Sequence, residues 1–356
     1  MLQILKQKFI PKIAKILKPK IKPTSIIWPG DGKPATIALS DGKEVMGSCI
    51  RCLNPPCMEF APEELIASQF KDFPLDQNTA VCPTSAITWP QQSESPIIDN
   101  SLCILCGLCV SRCPTRAIGL NDEGAFINDA PNHGFILSKQ QDENTFRTTI
   151  ALFENVREIG SYLIEDDHKI ALVGKKMEEV AKTQPSQFPN LLVRNLLIAT
   201  GIQAAMRRRG DNNIRMDMVL ELPHKAVGVA EIELGVGVLD APRNILDDIA
   251  VLASRYNYKA ETIIPLITSL YLPNLRSEYW SFIKDVKETL GIKINSITVG
   301  ALILLVWNRK KINLQNGNEL YIDVDDGSLT NKLQAFLGRS LKTSAQGCAG
   351  ILVSEK

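Results

Sequence analysis

The sequence predicts two unlike folds in one chain: a small α+β unit built around cysteines, then an α/β domain with a mixed sheet. Three observations carry this. Eight of the nine cysteines fall between Cys49 and Cys113. From Thr148 onward, helical and strand-like segments alternate in an order that suits a sheet covered by helices. Between the two lies a polar stretch rich in Asn, Asp, Gln and Lys that reads as a linker. The expected boundaries are a basic arm over 1–23, the cysteine unit over 24–130, the linker over 131–147 and the α/β domain over 148–356.

A chain of 356 residues has room for two domains, and 45% hydrophobic with 22% charged residues is a globular composition. A net charge of +1 excludes a whole-molecule field favouring nucleic acid or membrane, so any such preference must be local. No apolar run reaches the roughly 20 residues of a spanning helix. The most apolar run, Ile297 to Trp307, reads as a buried strand.

The arm carries seven lysines and no acidic residue. Leu2, Leu5, Phe9, Ile13, Ile16 and Leu17 recur at helical spacing, interrupted by Pro11 and Pro19. Two readings stay open: an apolar stripe packed on the body, or a basic arm that touches nucleic acid or an acidic partner. The arm has no uninterrupted apolar region of a secretory leader, so a reducing cytoplasm is expected. There, clustered cysteines bind metal rather than form disulfides.

The second cysteine group is Cys103-Ile-Leu-Cys106-Gly-Leu-Cys109-Val-Ser-Arg-Cys113-Pro114. Three thiolates on a compact loop can reach three irons of one cubane, while the fourth is sent by its proline turn to a neighbouring cluster. The first group is looser: Cys49-Ile-Arg-Cys52-Leu-Asn-Pro-Pro-Cys57, then 24 residues before Cys82-Pro83. The segments Cys82-Pro-Thr-Ser-Ala-Ile87 and Cys113-Pro-Thr-Arg-Ala-Ile118 agree at five of six positions, an internal repeat. Zinc is the competing metal, but it leaves that repeat unexplained. Cys348 stands apart as an ordinary small residue.

Over about residues 45–128 the sequence resembles the bacterial-type 2[4Fe–4S] ferredoxins. The resemblance implies a ferredoxin-like fold and crossed ligation. Cys49, Cys52, Cys57 and Cys113 would hold one [4Fe–4S] cluster, and Cys103, Cys106, Cys109 and Cys82 the other. The long gap and the wider third spacing leave a [3Fe–4S] form open at the first.

In the C-terminal domain, helical periodicity runs through ALFENVREIGSYLIEDD from Ala151 and again from Leu191 to Arg208. Two β-rich segments follow, Ile214–Leu222 and Ala226–Leu234, joined by Pro223-His224-Lys225. A helix from Arg243 to Tyr256, the strand ETIIPLITSL, the helix SEYWSFIKDVKETLG and the strand INSITVGALILLVW complete the series. Alternation puts Glu231 and Glu233 on one face of their strand, with Asp217 beside them if the two segments form a hairpin. Three convergent carboxylates would bind Mg²⁺ and could orient water on a phosphodiester. The bland alternative is a solvated acidic face.

Over about 190–270 the order resembles the PD-(D/E)xK nuclease family, which implies a restriction-endonuclease-like fold, a catalytic Asp217 and Glu231, and DNA as partner. Glu233 stands where that family usually has lysine, and Lys225 is a candidate substitute. Arg207, Arg208 and Arg209 could meet phosphates or cap the preceding helix. Asp240 reads as an N-cap, Asp247 and Asp248 as a polar face. None of His133, His168 and His224 has a catalytic partner in sequence. Three functions therefore stand open: a cluster-bearing nuclease, an electron-transfer module whose second domain docks a partner oxidoreductase, and a non-catalytic binding protein.

Overall fold

The fold is seen in a computed structural model that describes residues 23–27, 36–39, 44–46, 49, 55–65, 73, 75–127 (less 92, 94–95 and 114–116), 167–210, 215–323 (less 313 and 315) and 328–342. Cys52, Cys348, the basic arm, the linker and the expected helix from Ala151 lie outside these residues. The chain divides into two compact units, Met1–Phe60 with Ala80–Ile164 and Ala61–Thr79 with Glu165–Lys356. The excursion between Cys57 and Cys82 therefore belongs mostly with the second unit.

In the first unit β1 (Pro23–Ile27), β2 (Thr36–Leu39) and β3 (Glu44–Met46) form an antiparallel sheet. Next come β4 (Ile87–Thr88) paired with β5 (Ile97–Ile98), the short helix α1 (Leu108–Arg112), and β6 (Ile118–Leu120) paired with β7 (Ala125–Ile127). Both β4 and β6 start at the isoleucine that ends a Cys-Pro-Thr-x-Ala-Ile segment, so the repeat in sequence is a repeat in structure. Asn121 closes the β6–β7 turn, its Oδ1 accepting from the amides of Glu123 and Gly124. Gly124 is required there, because a Cβ would come within 2.0 Å of Asn100 Oδ1. That oxygen accepts the Ala125 amide at 3.0 Å.

The second unit opens with α2 (Ile170–Ala181) and α3 (Phe188–Ala199). The expected helix to Arg208 is corrected: Gly201, at φ +94°, breaks it, and β8 (Gln203–Met206) follows. Strands β9 (Met218–Glu221) and β10 (Val227–Glu233) complete an antiparallel meander, and the Pro223–Lys225 turn joins them as expected. After α4 (Ala241–Tyr256), β11 (Ile264–Ser269) lies parallel to β10. After α5 (Glu278–Leu290), β12 (Asn295–Thr298) lies parallel to β11. The result is a mixed sheet in the sequential order β12-β11-β10-β9-β8.

The segment read as one strand to Trp307 is instead a four-residue strand and a helix, α6 (Val299–Trp307). Thr298 makes the switch: its side chain accepts the Ala301 amide at 3.1 Å and caps the helix. Every residue of α6 is buried, so it has no polar face, and periodicity could not distinguish it from a buried strand. α3 packs on β8 and β10 and meets α6; α4 packs on β10 and β11 and meets α5. Successive residues of β9 to β12 are buried, which requires cover on both faces, and these two helix groups supply it. α7 (Leu329–Leu337) closes over α6.

One ion pair ties the start of this unit to its end. Asp167 is fully buried and accepts two hydrogen bonds from Arg339, at 2.7 and 2.8 Å, and one from the Lys342 amide at 2.8 Å. Burial alone would raise its carboxyl, but the guanidinium and the amide hold it below the usual carboxylate range. Its stabilisation is therefore complete above the unfolded value near pH 4 and is lost as pH falls through the lower folded value. Asp167→Asn, which removes the carboxylate charge facing Arg339, is expected to cost about 3 kcal/mol, a fall in Tm of about 6–12 °C by calorimetry.

Candidate metal centre and carboxylate row

The thiols fall into two groups, each drawn from both halves of the cysteine unit. Cys57 interacts electrostatically with Cys113 and Cys49, whereas Cys106 interacts with Cys82 and Cys103. Cys109 interacts most strongly with Cys106, Cys82 and Cys103, and also with Cys57 of the first group. Cys52, expected in the first group, lies outside the described residues. Burial, then the facing thiols, pushes the Cys57, Cys106 and Cys109 thiols up. Thiols this crowded resist becoming thiolates unless a cation is bound, and bound iron reverses that balance.

The backbone also suits the sulfurs. The Ala86 amide donates to Cys82 Sγ and the Ala117 amide to Cys113 Sγ, each at 3.2 Å. The donor is the alanine of Cys-Pro-Thr-x-Ala in both copies, which gives the repeat a chemical reason. Amide donors stabilise sulfur that carries negative charge, as a cluster ligand does. The loop from Cys103 to Cys109 is wound by two left-handed residues, Leu105 at φ +62° and Gly107 at φ +78°. Ile87, Ile98, Leu108, Leu120 and Ala125 line an apolar hollow around the second thiol group.

Among the described residues, no three His, Cys, Asp or Glu side chains converge closely enough to enclose a single metal ion. Zinc needs four ligands within about 2.3 Å of one point. A cubane suits separated thiols, because each of its four irons takes one.

Residues 96–119 match the family of 4Fe–4S binding domains. The match indicates that this region binds a [4Fe–4S] cluster. The chain is also similar to the polyferredoxin-like subunit of an aliphatic sulfonate oxidoreductase from Pyrococcus furiosus, 26% identical over 91 residues. That match takes in 26% of this chain and 40% of the relative, so the chain spans less than half of the relative's length. No solved structure matches the chain.

The second unit gathers a different set. Registers β8–β9 and β9–β10, each continued by one residue, align Arg207, Asp217 and Glu231 in one row across three strands. The Arg207 amide donates to the Asp217 carbonyl at 3.3 Å, which extends that ladder. Asp217 accepts from Asn190 Nδ2 at 2.9 Å and the Ile232 amide at 3.2 Å; Glu231 accepts from Asn244 Nδ2 at 3.0 Å. Glu233 accepts the Gly235 amide at 2.8 Å through one oxygen, and its charge is still felt at both Asp217 and Glu231.

A carboxylate that also joins is Asp248, read from sequence as part of a polar face. It is 3% exposed, its Oδ2 is buried without a hydrogen-bond partner, and it faces Glu231 and Asp217 electrostatically. It lies one helical turn beyond Asn244 on α4, and the fold, not the sequence, shows that Asn244 holds Glu231. Arg207 and Arg209 line a cleft of about 530 Å³ with Asp217 and Glu233. The helix-capping reading of the arginines falls, since a strand precedes them. Asp240 stands at the start of α4 as expected, yet its side chain makes no cap bond and meets Arg243 at 3.4 Å.

Burial, then Asp217, pushes Glu231 up to about 7; burial, then Glu231 and Asp217, pushes Asp248 up to about 8. Asp217 is raised as well, mainly by burial. Acids raised on folding hold extra protons in the native state, so stability falls as pH rises from about 4 to 8. The wild type is expected to lose a few kcal/mol over that range, and Asp248→Asn to lose distinctly less. Denaturant midpoints measured at each pH check this; equal slopes would show that the carboxylates do not repel.

Proposed function

We propose that this chain is an electron carrier with two [4Fe–4S] clusters that serves a partner oxidoreductase. One cluster is held by Cys49, Cys52, Cys57 and Cys113, the other by Cys103, Cys106, Cys109 and Cys82. The observation that carries the reading is the exchange of Cys82 and Cys113 between the two thiol groups, each with an alanine amide on its sulfur. Clusters placed side by side accept and pass single electrons, and the protein's part is to bury them and direct amides at their sulfurs. The relative described as a polyferredoxin-like subunit of an oxidoreductase supports a partner of that kind.

Anaerobically reconstituted protein is expected to hold about eight irons and eight sulfides per chain. It should show two one-electron reductions by EPR-monitored titration. Cys82→Ala and Cys113→Ala should each perturb one cluster, and not the same one. Iron near four per chain, or clusters that take up no electron, would sink the two-cluster carrier.

A second reading is favoured by Asp248. The order α3, meander β8–β10, α4, with Asp217 beside β9 and Glu231 in β10, follows the arrangement expected of the PD-(D/E)xK nucleases. A buried carboxylate oxygen without a partner fits a divalent cation, and Arg207 and Arg209 at the cleft suit a phosphate backbone. The side chains do not enclose an ion as they stand, so Glu231 must leave Asn244 to share one with Asp217 and Asp248. Mg²⁺ or Mn²⁺ titrated into the holoprotein should give saturable calorimetric binding and DNA cleavage, both lost in Asp217→Asn. Absence of binding and cleavage rejects this reading and leaves the electron carrier untouched.

A further inference from the structure

Arg112 lies between Cys109 and Cys113, ends α1 and is only 8% exposed. A charged side chain so buried is unusual on a five-residue helix. Its Nε donates to the Pro56 carbonyl at 2.7 Å, and its guanidinium stacks over the Phe60 ring at 4.1 Å. Both contacts fall on the segment that carries Cys57, 56 positions away for Pro56. The charge is felt at Cys57, where it favours the thiolate. Arg112 thus joins the compact motif to the loose one and sets a permanent cation against the first thiol group.

We infer that Arg112 is a positioning residue that makes the cluster at Cys49, Cys57 and Cys113 easier to reduce than it would be without that charge. The inference rests on the two-cluster reading above. Each reduction adds one electron, supplied by an external reductant, to a cluster already negative through its thiolates, and no proton or bond need move. A fixed positive charge nearby offsets the added negative charge, and in a buried site water screens it little. Net charge and buried polar groups are the protein's means of setting such a potential. The ring and the carbonyl hold the guanidinium in place, so the charge acts on one side of the unit.

The test is EPR-monitored redox titration of the anaerobic holoprotein beside Arg112→Gln and Arg112→Lys, with iron counted in each. The step that belongs to the first cluster is the one altered in Cys57→Ala. At the potential where that cluster is half reduced in the wild type, Arg112→Gln should lower its reduced-to-oxidised ratio about tenfold, a shift of about 59 mV. The other cluster should stay within twofold, and Arg112→Lys should recover most of the shift. Unchanged steps in Arg112→Gln with both clusters loaded would overturn the inference while the carrier reading stands, and so would equal shifts of both. Should Arg112→Gln fail to load the first cluster, Phe60→Leu decides, since it keeps the charge but removes its platform. A fall of about threefold at the first cluster alone supports the inference, and no change rejects it. A wild type without two reducible clusters is the distinct failure of the carrier reading.

Discussion

The cysteine unit depends on sulfur atoms contributed from opposite ends of its sequence. Its described strands are two to five residues long and its described helix has five, so among the described residues there is little regular structure to bury a core. Buried thiols make matters worse until iron binds, because crowding and desolvation both oppose their ionisation. Metal binding is coupled to folding in many small metal-organised domains. In the proposed two-cluster carrier, exchange of Cys82 and Cys113 would leave neither half able to complete its site alone. The alanine amides donating to both sulfurs suit the negative charge of a thiolate.

The second unit is organised on the opposite principle. Its centre is α6, apolar on all sides, with α2, α3 and α7 around it and the sheet beneath. That core is large enough to tolerate an unfavourable feature at its margin. Asp217, Glu231 and Asp248 repel one another in a poorly solvated place, and Asn190 and Asn244 relieve only part of it. Strain of this electrostatic kind is concentrated where a protein handles charge.

Much of this was legible in the residues. The cysteine spacing and the doubled Cys-Pro-Thr-x-Ala-Ile segment point to iron–sulfur ligation before any geometry is known, because spacing and repetition are local properties. The β9–β10 hairpin, its Pro223–Lys225 turn and the mixed sheet were also readable. What was lost depended on context. α6 reads as a strand because a helix buried on every face has no period to display. The end of α3 turned on the backbone of Gly201, and β8 was absorbed into the expected helix. Glu233 was placed by alternation on the right face, and its bond to the Gly235 amide, where the chain turns, is visible only in the fold. Asp248 was invisible as a partner of Glu231 because they belong to different elements, and only the packing of α4 on β10 brings them together.

The passage between Cys57 and Cys82 looks in sequence like a loose insertion, yet its later part is built into the sheet. Leu75 pairs with Arg207, and the Asp76 amide donates to the Met206 carbonyl at 2.9 Å, so this stretch lies along the outer edge of β8. Phe73 adds a ring contact to Tyr256 on α4. The iron–sulfur portion is therefore not a cassette that can be excised or grafted at a single seam. Two ligand-bearing segments are spliced on either side of a piece that shields an otherwise open sheet edge, and cutting it out would bare that edge to other chains. Descent by simple fusion of two finished modules would have left one junction, and this chain has at least three.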